Sequence, residues 1–252
     1  MNDAPVVNAP GSALAATEQV GLAIEGTGFS VSDVDEAGSG ASATLSVGEG
    51  AITVVIGDSG VTIDSGNGSG SVVVSGTVAQ INSLLDDSST GTITYLNSSD
   101  TPSASTTFTV TVNDAGNTGT DPGLTGDGSS EEGTNSQTIN IVAMNDAPVV
   151  NAPGSALAAT EQVGLAIEGT GFSVSDVDEA GSGASATLSV GEGAITVAVG
   201  DSGVTIDSGN GTGTVVVSGT IAQINSLLND SSTGTITYLN SSDTPSASTT
   251  FT

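Results

Sequence analysis

The sequence contains no lysine, arginine, histidine or cysteine, against 28 aspartates and glutamates, for a formal charge of −28. Without a cationic side chain no internal salt bridge can form and no side chain can clamp a phosphate. Nucleic acid is excluded as a direct partner, because the counterion release that drives such binding needs basic residues. Anionic membrane surfaces are excluded on the same ground. Lacking imidazole, thiolate and amine, the chain offers Ser and Thr no ordinary activating base and has no soft metal ligand. A disulfide framework is absent. Tryptophan is missing and aromatics make up 2%, so a core must be built from Val, Ile, Leu and Ala. No apolar run approaches the roughly 20 residues of a membrane helix, so direct membrane insertion is not expected, and no segment resembles a secretion signal. Carboxylates, hydroxyls, amides and backbone groups remain for chemistry, and that set suits hard cations.

What is present is a folded, β-rich pattern. The 252 residues allow one or two domains, and a mean hydropathy of +0.17 argues against disorder despite the charge. Apolar residues alternate over 29–31, 43–47, 52–56, 61–63, 72–74, 92–95, 108–112 and 138–141, which predicts short strands. Gly, Asn, Asp and Ser separate them, and many short strands with frequent turns indicate a β-sandwich. One segment departs from period two. Val78, Ile81, Leu84 and Leu85 sit at helical spacing, with Thr77 and Gln80 placed as a capping box, so one or two helical turns are expected to close an end of the core. Residues 114–137 carry no periodicity and are expected to form a mobile acidic hairpin loop.

The chain is also a repeat. Asn2–Thr109 recurs as Asn145–Thr252 with six differences in 108 positions: Val55/Ala198, Ile56/Val199, Ser69/Thr212, Ser71/Thr214, Val78/Ile221 and Asp86/Asn229. A period this long means tandem whole domains, expected over 2–144 and 145–252. The second copy stops at Phe251-Thr252, where the first continues Val110-Thr111-Val112. It is therefore expected to be incomplete at its C-terminus and impaired in folding by exposed strand edges, and the chain to be part of a longer array.

The acidic residues fall into an ordered set of motifs. Thr17-Glu18-Gln19 precedes Leu22-Ala23-Ile24, and Ser32-Asp33-Val34-Asp35 follows a strand. Asp100 precedes Phe108–Val112, Asn113-Asp114 ends that strand, and Ile139-Asn140-Ile141 runs into Asn145-Asp146-Ala147-Pro148. Over the whole repeat this order resembles a cadherin domain, with its early glutamate, its DxD motif and its NDNAP-like linker. More closely, it resembles the cadherin-like tandem repeats of large bacterial surface adhesins of the repeats-in-toxin, type I-secreted kind, which carry a segment like Ala79-Gln80-Ile81-Asn82 with Leu84-Leu85. The resemblance implies an all-β fold of tandem cadherin-like, immunoglobulin-like Greek-key sandwiches with one short helical turn per repeat. It implies Ca2+ as the cofactor. A junction site would gather Glu18 and Asp100 from the first copy, Asn145 and Asp146 from the linker, and Asp176 and Asp178 from the second copy. Asp33, Asp35 and Asp114, with Asn2-Asp3, would serve the start of the first copy, and Glu161 repeats Glu18 in the second. The linker is shorter than the family's, so one ion per junction is expected.

Each motif has a plainer reading. Asp33-Val34-Asp35 and Asn145-Asp146 could be turn residues, and Glu18 an ordinary strand residue. Asp121, Asp127, Glu131 and Glu132 could hold a local cation, although a solvated acidic loop explains them as well. The resemblance implies an extracellular, cell-surface role in which calcium stiffens spacer repeats of an adhesin. The partners are then neighbouring repeats of the same chain, with a cell-surface or matrix ligand met by other domains. The alternative is a module that itself binds a glycan or protein, but such surfaces usually supply Tyr, Trp or Arg anchors, and Tyr95 and Tyr238 are the only tyrosines. An enzyme with paired carboxylates would need a cleft lined for sugar stacking, so no enzymatic activity is expected.

Overall fold

The structure, a computed structural model, describes residues 4–34, 38, 40–114, 132–179 and 181–252. They form two compact units, Met1–Met144 and Asn145–Thr252, each with its own core.

The first unit is an all-β sandwich. Its elements are β1 (Val6–Asn8), β2 (Leu14–Thr17), β3 (Leu22–Ala23), β4 (Ser30–Ser32), β5 (Ala41–Val47), β6 (Ala51–Val55), β7 (Thr62–Ser65), β8 (Ser71–Gly76), α1 (Val78–Leu85), β9 (Thr92–Leu96), β10 (Ser105–Asn113) and β11 (Glu132–Val142). The larger sheet runs β2-β11-β10-β5-β8-β7, the second β3-β9-β6, and β1 pairs with β4. Every pairing is antiparallel except β2 with β11. The alternation explains the sandwich: Phe108, Val110 and Val112 turn inward and are fully buried while the intervening threonines face outward. Ala43, Leu45, Val72 and Val74 from the same sheet meet Ile52, Val54, Ile93 and Tyr95 from the other in one cluster. Helix α1 has the expected capping box, in which Thr77 accepts from the Gln80 backbone and the Gln80 side chain accepts from Thr77 N–H, and it buries Val78, Ile81, Leu84 and Leu85.

Part of the expected loop is strand. Glu132–Gln137 pairs residue by residue with Phe108–Asn113. A ladder is made of backbone bonds and needs no apolar alternation, and these six residues are exposed or half-exposed, so there was no period-two signal to read. Residues 115–131, with Asp121, Asp127 and Glu131, lie outside the described residues.

Asn82 ties the helix to the sheet. Its amide donates to Val31 O at 2.8 Å and accepts from Val31 N–H at 2.7 Å, so one side chain satisfies both polar groups of a β4 residue where no strand does. Asn82→Ala would orphan both groups, at a cost of about 1–3 kcal/mol. Urea unfolding should show that loss, and Asn225→Ala should repeat it through Val174 in the second unit.

The second unit contains β12 (Val149–Asn151), β13 (Leu165–Ala166), β14 (Ser173–Ser175), β15 (Ala184–Ser189), β16 (Ala194–Ala198), β17 (Thr205–Ser208), β18 (Thr214–Gly219), α2 (Ile221–Leu228) and β19 (Thr235–Leu239). Two three-stranded sheets, β13-β19-β16 and β15-β18-β17, and the pair β12-β14 reproduce the pairings of the first unit except those made by β2, β10 and β11. Leu157-Ala158-Ala159-Thr160 repeats the β2 sequence but forms no strand, because this unit holds no counterpart of β11 for it to pair with. Among the described residues the buried core cluster falls from 24 residues to 12. The sheets that pair within themselves keep their form, and the side that needs β10 and β11 is open.

Candidate metal centre

Glu18 follows β2 directly. The parallel pairing of β2 with β11 extends one residue further, where Glu18 N–H donates to Val142 O at 3.0 Å. That pairing draws the side chain inside. Glu18 is 1% exposed, and neither carboxylate oxygen has a hydrogen-bond partner. A buried carboxylate without a donor or a counter-charge is strongly unfavourable.

Other carboxylates in the unit show how the chain handles its charge when donors are at hand. Glu49 accepts from Asn97 Nδ2 at 2.8 Å and from Ser103 N–H. The bonds from Ser103 and then Asn97 hold its carboxyl below the usual range. Asp58 accepts from the backbone and hydroxyl of Thr90 at 2.6 and 2.9 Å, the backbone bond being the larger cause of its lowered pKa. Glu25 accepts from Ile93 N–H at 2.7 Å. Glu18 has no such partner.

Asp100 lies at the same end of the unit as Glu18. The bridge is Gln19, a non-glycine residue with φ of 60°, whose backbone N–H donates to Asn97 O at 2.7 Å and whose amide donates to Asp100 Oδ1 at 2.9 Å. Gln19, Glu49 and Asn97 therefore belong to this end, and sequence reasoning missed all three as members. The fixed spacing of 81 residues between Gln19 and Asp100, repeated as Gln162 and Asp243, carried no local signal.

Asp33 and Asp114 belong to the other end. Asp114 closes β10, a strand of nine residues, and is thus about 30 Å from the Asp100 side at strand rise. Asp33 follows Ser32, which pairs with Val6, and Val6 abuts Gly133 near the same end of β11. Asp114 is buried and Asp33 half-buried. Asn2, Asp3 and Asp35 lie outside the described residues.

In the second unit Asp146 N–H donates to Asp178 Oδ2 at 2.5 Å, Asp178 N–H donates to Asp176 Oδ1 at 3.0 Å, and Asn145 Nδ2 donates to Asp146 O at 2.7 Å. The four residues come together as hydrogen-bonded turns. Glu161 is exposed, because the strand pairing that buries Glu18 has no equivalent there. Its neighbour Gln162 still reaches Asp243 at 2.6 Å. Among the described residues no three acidic side chains stand together as a metal-holding group.

No family model matches the chain, and no curated protein matches it by sequence. Among solved structures it is similar to one described as protocadherin gamma B2 extracellular cadherin domains 3-6, at 14% identity and a TM-score of 0.25. The match covers 86% of this chain and 38% of that one.

Proposed function

We propose that the chain consists of calcium-stabilised structural repeats of an extracellular adhesin of the bacterial cell surface, whose task is to space and stiffen a tandem array. The supporting observation is Glu18: a fully buried carboxylate with both oxygens unpartnered in a chain with no cationic side chain to neutralise it. The donor set fits a hard cation, since calcium takes six to eight oxygens from carboxylates, amides and backbone carbonyls. Glu18 and Asp100 would hold it at one end of the first unit. Asp33 and Asp114 would do so at the other end, and Asn145, Asp146, Asp176 and Asp178 in the second unit. The ion supplies positive charge where carboxylates otherwise repel one another. The residues supply oxygen ligands on backbone already fixed by turns and strand ends, so uptake orders the segments that join the repeats. No described helix is long and apolar enough to cross a membrane. An array spacer needs length and sameness, and 102 of the 108 repeated positions are identical.

Scanning calorimetry in millimolar calcium and in chelator tests this reading. A ligand at 100 times its dissociation constant stabilises by about 2.7 kcal/mol per site, so calcium should raise the unfolding temperature. Magnesium, which keeps its waters and demands octahedral geometry, should not match it. An equal effect of the two ions would mean simple screening of the net charge. No effect would reduce the acidic motifs to turn chemistry.

A further inference from the structure

Strand β6 is an edge of the sheet β3-β9-β6, and the tip of the β7–β8 hairpin seals it. Val54 N–H donates to Asn67 Oδ1 at 2.7 Å, and Val54 O accepts from Asn67 Nδ2 at 2.9 Å. Ile52 N–H donates to Ser69 O and Ile52 O accepts from Gly68 N–H, both at 2.8 Å. Three residues thus satisfy four main-chain groups of an edge strand, which would otherwise offer a template to another chain. The second unit repeats the seal on β16: Asn210 bonds both groups of Val197, and Gly211 and Thr212 bond those of Ile195. Asn67-Gly68 and Asn210-Gly211 are the only Asn-Gly pairs in the sequence. Gly68 and Gly211 both have φ of 81°, a conformation that calls for glycine. Glycine is also the residue whose nitrogen is least hindered in attacking the asparagine side chain before it. Both asparagines are exposed, so water reaches them.

We propose that Asn67 and Asn210 are deamidation sites held unreactive by the folded turn, and that their conversion to aspartate or isoaspartate lifts the hairpin tip and uncovers the edges of β6 and β16. The nitrogen of Gly68 attacks Cγ of Asn67. The N–Cγ bond forms, the Cγ–Nδ2 bond breaks, and the amide leaves as ammonia with the proton that Gly68 gives up. Water then opens the cyclic imide, giving aspartate where the new N–Cγ bond breaks and isoaspartate where the original peptide bond does. In the fold the nucleophile is tied to Ile52 O and the amide is pinned on Val54, so attack waits until both sets of bonds open. After conversion the seal cannot close as before. Aspartate still accepts from Val54 N–H but sets a carboxylate oxygen against Val54 O where an N–H stood. Isoaspartate adds a methylene to the main chain and moves Gly68 away from Ile52. Each event also adds a negative charge to a chain that has no cationic side chain to offset it.

The test ages the whole chain at mildly alkaline pH, with and without denaturing urea, and follows every asparagine by peptide mass spectrometry. In urea Asn67 and Asn210 are expected to convert before any other asparagine. Without urea they should convert at least about tenfold more slowly, because reaction then requires local opening. Hydrogen exchange reads the consequence. In the aged chain and in the variant Asn67→Asp, the amides of Ile52 and Gly68 should exchange faster, while those of Val110 and Val112 stay protected. Asn229→Asp is the control, since it places in the second copy the aspartate that the first carries as Asp86. It should leave exchange at Ile195 and Gly211 unchanged. Equal ageing rates with and without urea, or another asparagine converting first in urea, would overturn the proposal. So would unchanged exchange at Ile52 after conversion, or loss of protection throughout the unit, because the turn would then serve the whole fold and not the edge.

Discussion

Glu18→Gln is expected to stabilise the first unit in chelator and to abolish most of the gain that calcium gives it. In the metal-free protein the substitution removes a charge buried at 1% exposure with no donor on either oxygen, while keeping the side chain's shape. Relief of such a group is worth about 1–3 kcal/mol, and for a domain near 150 residues each kcal/mol moves the midpoint by about 3 °C. With calcium the sign reverses, because a neutral amide is a much poorer ligand than a carboxylate, so wild type should overtake the variant. Glu161→Gln is the internal control. Its carboxylate is exposed, and a surface change of that kind stays within about 0.5 kcal/mol in either condition. Calorimetry that resolves the two units' transitions reads all four cases. If Glu18→Gln lost stability equally with and without calcium, the carboxylate would be serving the fold. An undiminished calcium shift in the variant would move the ion away from Glu18.

Much of the fold was legible because the signals were local. Alternation marked β5, β6, β8, β9 and β10, and a capping box with apolar residues at helical spacing marked α1. The short strands β1, β2 and β3, of two to four residues, are too brief for a period to show, and the first half of β11 is held by its ladder alone. The candidate site was legible as a set of acids but not as an arrangement. Which acid is buried depends on a partner 124 residues away: Val142 receives the Glu18 N–H, and the same Thr-Glu-Gln triplet at 160–162, with no such partner, leaves Glu161 in solvent. No reading of the triplet itself separates the two. The hydrogen bond from Gln19 to Asp100 is equally non-local, and it survives in the second unit because both of its residues do.

The same dependence on partners predicts that one substitution will have two costs. Phe29→Ala should destabilise the first unit by about 3–5 kcal/mol, as expected for a large aromatic removed from a closed core. Phe29 is 1% exposed and meets Phe108 edge-on, with ring centroids 5.2 Å apart. Its deletion leaves a void walled on every side, so the cavity term adds to the lost transfer energy. Phe172→Ala deletes the counterpart ring, which meets Phe251 at 5.1 Å but is only partly buried and already borders two clefts of the second unit. There the transfer term is reduced and hardly any new closed volume is made, so a loss of about 1–2 kcal/mol is expected. Urea unfolding followed separately for each unit checks the pair, at unchanged m-values so that the comparison concerns stability alone. Equal costs would mean that the second unit's core closes over Phe172 in solution, and the open side would no longer be a feature of the fold. Unequal costs would place the difference in the missing strand neighbours, since every residue between Gly11 and Ala51 is identical in the two copies.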